Sequence, residues 1–275
     1  MCSSDLRYVF FIDAEGNRHR DLPLQAALTA IEEGGIVPFQ RMSTSLMWYK
    51  RRLAALELAA IADRFPDAVV AKGLPRALVT TDTAALLADP SIDAVVETIG
   101  GDEPARSFIA TALANGKAVV TANKHVIAHH GPALEALVRA DATGHARLRF
   151  EAAVGGGIPI LGPLAGDLAA NRIEEFRGIV NGTTNYILTA MARDGADYAA
   201  TLAEAQRLGY AEADPTGDVE GADAVNKCVI LARLAFGVWL DPAEVPVAVP
   251  TLDPSAPPRR GITVVDAEAM AGAAA

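Results

Sequence analysis

Apolar and polar positions along the chain fall into two regimes. From about residue 50, short apolar runs alternate with longer mixed stretches punctuated by Gly, Pro, Asn and Asp. Residues 56–62 (LELAAIA), 92–99 (IDAVVETI), 117–121 (KAVVT) and 147–151 (RLRFE) have the length and composition of strands. Between them, Thr81-Asp82 predicts the cap of a helix running through Leu87, broken at Asp89-Pro90. Pro104 opens the next helix, through Asn115-Gly116, with Asp102 as its cap. A further helix starts after Asn123-Lys124, is interrupted at Gly131-Pro132 and resumes over residues 134–140. Residues 69–79 read as short and mixed. Strand and helix alternating at roughly 20 to 25 residues predicts crossover units and a parallel sheet. Ligands of such sheets bind at the carboxyl ends of the strands. Thr98, Gly100, Asn123, Lys124 and Glu151 stand at such ends.

The flanking regions are less regular. Residues 8–12 predict a short strand, 13–17 a turn after it, and 22–33 a helix stopped by Gly34-Gly35. Residues 49–55 read as the close of a helix. Seven glycines and prolines crowd residues 152–166, which read as a hinge loop and a helix into a second region. There the pattern predicts a strand over 173–180 and helices over 185–192, 198–208 and 223–235. Beyond a Pro-rich stretch at 253–258, residues 261–265 read as a short strand and 267–275 as a helix stub.

Composition narrows the class. The 275 residues are 51% hydrophobic and 21% charged, a core-forming balance. A net charge of -10 argues against a nucleic-acid surface. Cys2 and Cys228 are too few for a disulfide framework, so a reducing, cytoplasmic setting is expected. No apolar run is long enough for a membrane helix, and the N-terminus lacks the basic start and apolar core of a signal peptide.

The chemistry concentrates between Gly178 and Lys227. Five acids lie within the twelve positions from Glu212 to Asp223, interleaved with Gly and Pro, and Lys227 follows four residues later. Asp223 and Lys227 share a helix face. Such a pair moves a proton or holds a substrate carboxylate, or else is an ordinary surface ion pair. Glu212, Asp214 and Asp218 suit an ammonium group or a cation, or a solvated turn with capping aspartates. The polar turn from Asn181 to Asn185 reads equally as a ligand surface and as a helix cap through Thr183 or Thr184. Lys124 reads as a cofactor or substrate contact or as a solvated lysine. Glu151, before a glycine-rich loop of hard carbonyl ligands, reads as a metal ligand. Cys228, in an apolar helix, reads as a buried small residue rather than a nucleophile. The Gly-x-Gly-x-x-Gly fingerprint of dinucleotide domains is absent before residue 56; Gly155-Gly156-Gly157 comes too late and reads as a bend.

Five motifs in order carry a family likeness. They are VVETIGG at 95–101, GKAVVTANK at 116–124, FEAAVGGGIP at 150–159, GIVNGTTNYIL at 178–188 and the whole segment 209–227. Over residues 56–236 the chain resembles homoserine dehydrogenase, with a weaker echo at Gly261-Ile262.

That resemblance implies an α/β fold: a Rossmann-like parallel-sheet domain followed by an α+β substrate and dimerisation domain. The implied boundaries are an atypical segment at 1–50, the dinucleotide domain at 51–152 and the substrate domain at 153–275. It implies reversible reduction of L-aspartate 4-semialdehyde to L-homoserine with NADPH or NADH, on the route to threonine, methionine and isoleucine. Lys227 matches the proton-transferring lysine and Asp223 its partner. Glu212, Asp218, Lys124, Asn181 and Thr183 match the substrate pocket, Glu212 at the amino group. Thr98, Gly100, Asn123 and Lys124 match the cofactor side. Glu151, Val154, Gly156 and Ile158 match a sodium-type loop site. A homodimer is implied. At the end of the second strand, Asp63 favours NAD and Arg64 favours NADP, which leaves the cofactor open.

The sequence departs from the family pattern at both ends. The first strand and its glycine loop are expected to be missing or replaced, leaving an open sheet edge. The C-terminal part is expected to be cut short, with no regulatory domain following. Activity is therefore expected to be impaired. Two other readings remain: a non-catalytic or regulatory member that pairs with a complete subunit, and a dehydrogenase of another amino-acid semialdehyde.

Overall fold

The structure, a computed structural model, describes residues 56–247 and 261–265 and the backbone of 6–11. It divides into two compact units. The first holds residues 1–126 and 132–150, the second 127–131 and 151–275.

The first unit is built on six parallel strands in the order β3-β2-β1-β4-β5-β6. They are β1 Leu6–Phe11, β2 Leu56–Ala62, β3 Val79–Thr80, β4 Ala94–Glu97, β5 Ala118–Thr121 and β6 Arg147–Arg149. This is the doubly wound order that binds a ligand where the strand order reverses. It corrects one expectation. The first strand is not missing, and no sheet edge is opened by its loss: β1 pairs with β2 on one side and β4 on the other. The turn expected at 13–17 and the helices expected at 22–33 and 49–55 lie outside the described residues, as does the stub at 267–275.

Four helices belong to this sheet's crossovers: α1 Pro66–Ala71, α2 Thr83–Ala88, α3 Ala105–Ala114 and α4 Lys124–Ala140. Residues 69–79, read as short and mixed, contain the end of α1, a 3-10 turn at Arg76–Leu78 and the start of β3. Pro66 supplies the first turn of α1, where a missing N–H is harmless. Asp82 caps α2 by accepting from Ala85 N–H at 2.9 Å. Asp102 does not cap α3. It stands too early for that, and Pro104 occupies the cap position without a side-chain bond. The entry is made instead by the Asp102 carbonyl, which accepts from Arg106 N–H at 2.8 Å.

Helix α4 runs through Gly131-Pro132 without the expected break. A proline inside a helix costs about 3 kcal/mol, partly from its clash with the residue before it. Gly131 has no Cβ to clash. Within the second unit that bare position meets the Trp239 ring, which lies 2.1 Å from where a Cβ would sit.

The second unit comprises α5 Leu161–Ala165, α6 Gly182–Asp194, α7 Tyr198–Arg207, α8 Thr216–Val219 and α9 Ala222–Phe236, with Ile127–Gly131 of α4. Its core includes Ile187, Met191, Ala205, Ala211, Val219 and Val265. The strand expected over 173–180 does not form. An alternating run becomes a strand only when a neighbour takes its N–H and C=O groups. Among the described residues this unit offers no second strand. Ile179 is left 78% exposed, and Phe176 stacks on Phe236 at 5.7 Å. Residues 261–265, also read as a strand, form a 3-10 turn at Ile262–Val264. Gly261 takes a positive φ there, and a Cβ would fall 2.5 Å from the Val219 carbonyl.

Candidate active site

Two groups of side chains stand out, one in each unit. In the first unit they lie at the carboxyl ends of β4 and β5. Thr98 follows β4, exposed, and Gly100 and Gly101 turn the chain at φ 80° and 70°. Glu97 lies beneath that turn, fully buried. Its Oε1 accepts from the N–H groups of Ile99 at 2.7 Å and Gly100 at 3.1 Å, and its Oε2 from the Thr121 hydroxyl at 2.5 Å. Asn123 caps α4: its Oδ1 accepts from Val126 N–H at 3.1 Å, and its Nδ2 donates to the Gly101 carbonyl at 2.8 Å. Lys124 is the first residue of α4 and half-buried. At the end of β2, Asp63 is buried and accepts from Phe65 N–H at 2.6 Å. The neighbouring Arg64 is exposed and lies 5.1 Å over the Phe65 ring.

In the second unit, α6, α8 and α9 bring together Asn181, Thr183, Asp218, Asp223 and Lys227. Asn181, not Thr183 or Thr184, caps α6, its Oδ1 accepting from Thr184 N–H at 2.8 Å. An Asx side chain at the cap position reaches this N–H directly, and the threonines lie past it. The Asn181 Nδ2 donates to Asp218 Oδ1 at 2.7 Å and to Asp223 Oδ2 at 2.9 Å. Thr183 donates to either the Tyr210 carbonyl at 2.6 Å or Asp218 Oδ2 at 3.1 Å. Lys227 Nζ donates to Asp223 Oδ2 at 2.6 Å and to the Val180 carbonyl at 2.5 Å. The Lys227–Asp223 pair is no surface pair, since the two side chains are 16% and 10% exposed. One buried amide thus joins two carboxylates, and one of those holds the lysine. An ammonium has three N–H bonds, and two are fixed by protein oxygens.

Glu212 lies on the exposed turn after α7, its carbonyl accepting from Gln206 Nε2 at 3.0 Å. Asp214 accepts from Thr216 N–H at 3.1 Å, and the Thr216 side chain, then this main-chain bond, hold its carboxyl below the usual range. Burial pushes the Cys228 thiol up, the opposite of what a nucleophile needs.

The Glu151 carboxylate is engaged by protein. It accepts from the N–H groups of Ile160 at 2.8 Å, Leu161 at 3.0 Å and Gly162 at 2.7 Å, around the start of α5. Val154 is buried, whereas Gly156 and Ile158 are exposed. Among the described residues no group of three or more His, Cys, Asp or Glu is placed to hold a metal ion. Nor is any helix there long and apolar enough to cross a membrane.

Sequence reasoning missed Glu97, Thr121 and the Val180 carbonyl. Glu97 left a signal: a lone carboxylate closing an apolar strand needs partners. The Val180 carbonyl left none, because its contact with Lys227 spans 47 residues.

Residues 159–273 match the family model for homoserine dehydrogenase, and residues 40–151 match that of the homoserine dehydrogenase NAD-binding domain. The chain is 51% identical over 185 residues to homoserine dehydrogenase of Synechocystis sp., covering 67% of this chain and 42% of that protein. It is 54% identical over 167 residues to the Corynebacterium glutamicum enzyme, covering 60% of this chain and 36% of that one. It therefore spans less than half the length of these curated relatives. Among solved structures, a homoserine dehydrogenase from Thiobacillus denitrificans superposes with a TM-score of 0.76 at 37% identity, over 98% of this chain and 55% of that chain. A hyperthermophilic archaeal homoserine dehydrogenase in complex with NADPH shares the fold, with a TM-score of 0.67 at 24% identity, over 96% of this chain and 76% of that one. With matched motifs in both units and a parallel sheet in the dinucleotide-binding order, the chain belongs to the homoserine dehydrogenase family.

Proposed function

We propose that this chain carries the chemistry of its family, the reversible NAD(P)H-dependent reduction of L-aspartate 4-semialdehyde to L-homoserine. The observation that carries the reading is the half-buried Lys227 ammonium, held between Asp223 and the Val180 carbonyl. A reduced nicotinamide, when bound, supplies the hydride. Lys227 supplies the proton that the developing alkoxide takes, and its charge stabilises that oxygen beforehand. Asp223 keeps the lysine ammonium in place and Asn181 keeps Asp223 in place. Glu212 matches the family's contact for the substrate ammonium group and Asp218 another acid of the substrate pocket, and an acidic setting suits that charge.

The first unit's residues fit the cofactor. Asp63 and Arg64 follow β2, Thr98 and Gly100 follow β4, and Asn123 and Lys124 cap and open α4. The buried Asp63 carboxylate and the exposed Arg64 keep both NAD and NADP in the proposal. Any monovalent cation at the 151–158 loop would have to use main-chain oxygens of Glu151, Val154, Gly156 and Ile158, because the Glu151 carboxylate is already bonded to three N–H groups. A cytoplasmic homodimer completes the reading.

The test is turnover by the purified chain with L-homoserine and each oxidised dinucleotide, in sodium and in potassium salts, against other amino alcohols. Homoserine-selective reduction of the dinucleotide is the expected result. Preference for another amino alcohol would move the assignment to a different semialdehyde. The missing Gly-x-Gly-x-x-Gly motif favours one second reading, a non-catalytic member that pairs with a complete subunit. No turnover alone, with co-purification of a full-length homologue, would support that reading.

A further inference from the structure

Glu97 plays no part in the proton transfer above, yet it ends β4 fully buried. A carboxylate there is unfavourable unless its oxygens find donors. Both do, and the bonds continue beyond it. Its Oε1 gathers the Ile99 and Gly100 N–H groups, and its Oε2 takes the Thr121 hydroxyl proton. The Thr121 Oγ1 in turn accepts from Asn123 N–H at 2.9 Å. Asn123 donates back to the Gly101 carbonyl and accepts from Val126 N–H in the first turn of α4. The path leaves β4 through the 98–101 turn and returns to that turn from β5. Lys124 is the next residue along.

We infer that Glu97 is a positioning residue. It locks the 98–101 turn and the first turn of α4 into one rigid platform for the dinucleotide. Two consequences follow from the donor count. The Ile99 and Gly100 N–H groups face the Glu97 carboxylate, so they are not phosphate donors. The buried negative charge under the turn also disfavours a phosphate there. The platform therefore suits the hydroxyl and amide groups of a dinucleotide, with Thr98 as its exposed side chain. Thr121 is the joint between the two strands. A serine keeps both of its bonds, a valine loses both, and Glu97→Gln keeps the shape but places a donor where Oε2 was an acceptor.

The identity of the ligand rests on the function proposed above, so the test has two readouts. Titrations by calorimetry with NADPH, and with NADH in parallel, would be run on the wild-type chain and on Thr121→Ser, Thr121→Val and Glu97→Gln. Amide hydrogen exchange at Ile99, Gly100 and Asn123 would be measured on the same samples, with circular dichroism melting to confirm folding. Thr121→Ser should match wild type. Thr121→Val should speed exchange at Asn123 and weaken NADPH binding about tenfold, and Glu97→Gln should fall between. Unchanged exchange in Thr121→Val and Glu97→Gln would overturn the platform itself. Faster exchange with unchanged NADPH affinity would leave a structural network and overturn the positioning role. If wild type bound neither NADPH nor NADH, the proposed function would fail for this chain, and the inference that the platform serves a dinucleotide would fall with it.

Discussion

Lys227 is held by two oxygens of different origin. Asp223 lies one helical turn away on α9, a spacing readable in the sequence. The Val180 carbonyl arrives from a distant segment, which no spacing rule foresees. Asn181 makes the same point more sharply. Its family match is a substrate contact, but its amide group already makes three protein bonds: two donated to acids and one accepted at the cap. In the proposed reaction its part is therefore to position Asp218 and Asp223. Asn181→Asp removes both donated bonds and adds a third negative charge. Mutual repulsion raises carboxylate pKa values, so the acid limb of the kcat/KM profile should move to higher pH. The rate at the optimum should fall about a hundredfold, as for loss of a charge-assisted contact in a reacting site. An unmoved pH profile in Asn181→Asp would contradict this account of the cluster.

The sheet was legible at the scale of elements because parallel strands are apolar, short and evenly spaced. What escaped were cases where a neighbour decides. Helix α4 continues through Gly131-Pro132, and residues 173–180 fail to become a strand for want of a partner. The Gly131 case can be weighed. In an exposed helix Gly→Ala gains about 1 kcal/mol. Here the new Cβ would sit 2.1 Å from the Trp239 ring, and overpacking of that kind costs about 1–3 kcal/mol. Gly131→Ala should therefore lower the thermal midpoint; a rise would show that the ring yields freely.

The turn after α4 offers a second check. Asp141 accepts from the Thr143 hydroxyl at 2.6 Å, Thr143 N–H at 3.0 Å and Ala146 N–H at 2.6 Å. The Thr143 hydroxyl bond, then the main-chain bonds, draw its carboxyl from the ordinary 3.8 down to about 2. A lowered carboxylate stabilises the fold above its unfolded pKa and loses that effect as pH falls through the folded one. Asp141→Ala should thus melt below wild type at neutral pH, with the gap closing between about pH 4 and pH 2. A gap that stays constant across that window would contradict this reading of the turn.

On the scale of the whole molecule, each unit carries one part of the family's equipment. The strand order of the first unit and the acid–lysine cluster of the second were foreshadowed by separate motifs, 95–124 and 178–227. The sequence understated the first unit. A strand at residues 8–12 was visible, but the missing glycine fingerprint made it look unconnected to the sheet. Hydrogen bonding to β2 and β4 is a property of the folded backbone, and it places β1 at the centre regardless of the loop that follows.

The most direct test of the central claim compares homoserine-dependent dinucleotide reduction by the purified chain and by Lys227→Met. If Lys227 moves the proton, wild type turns over and the variant loses about 10² to 10⁴ in kcat, with KM for homoserine little changed and the fold intact by circular dichroism. Equal kcat values in the two proteins would contradict the account.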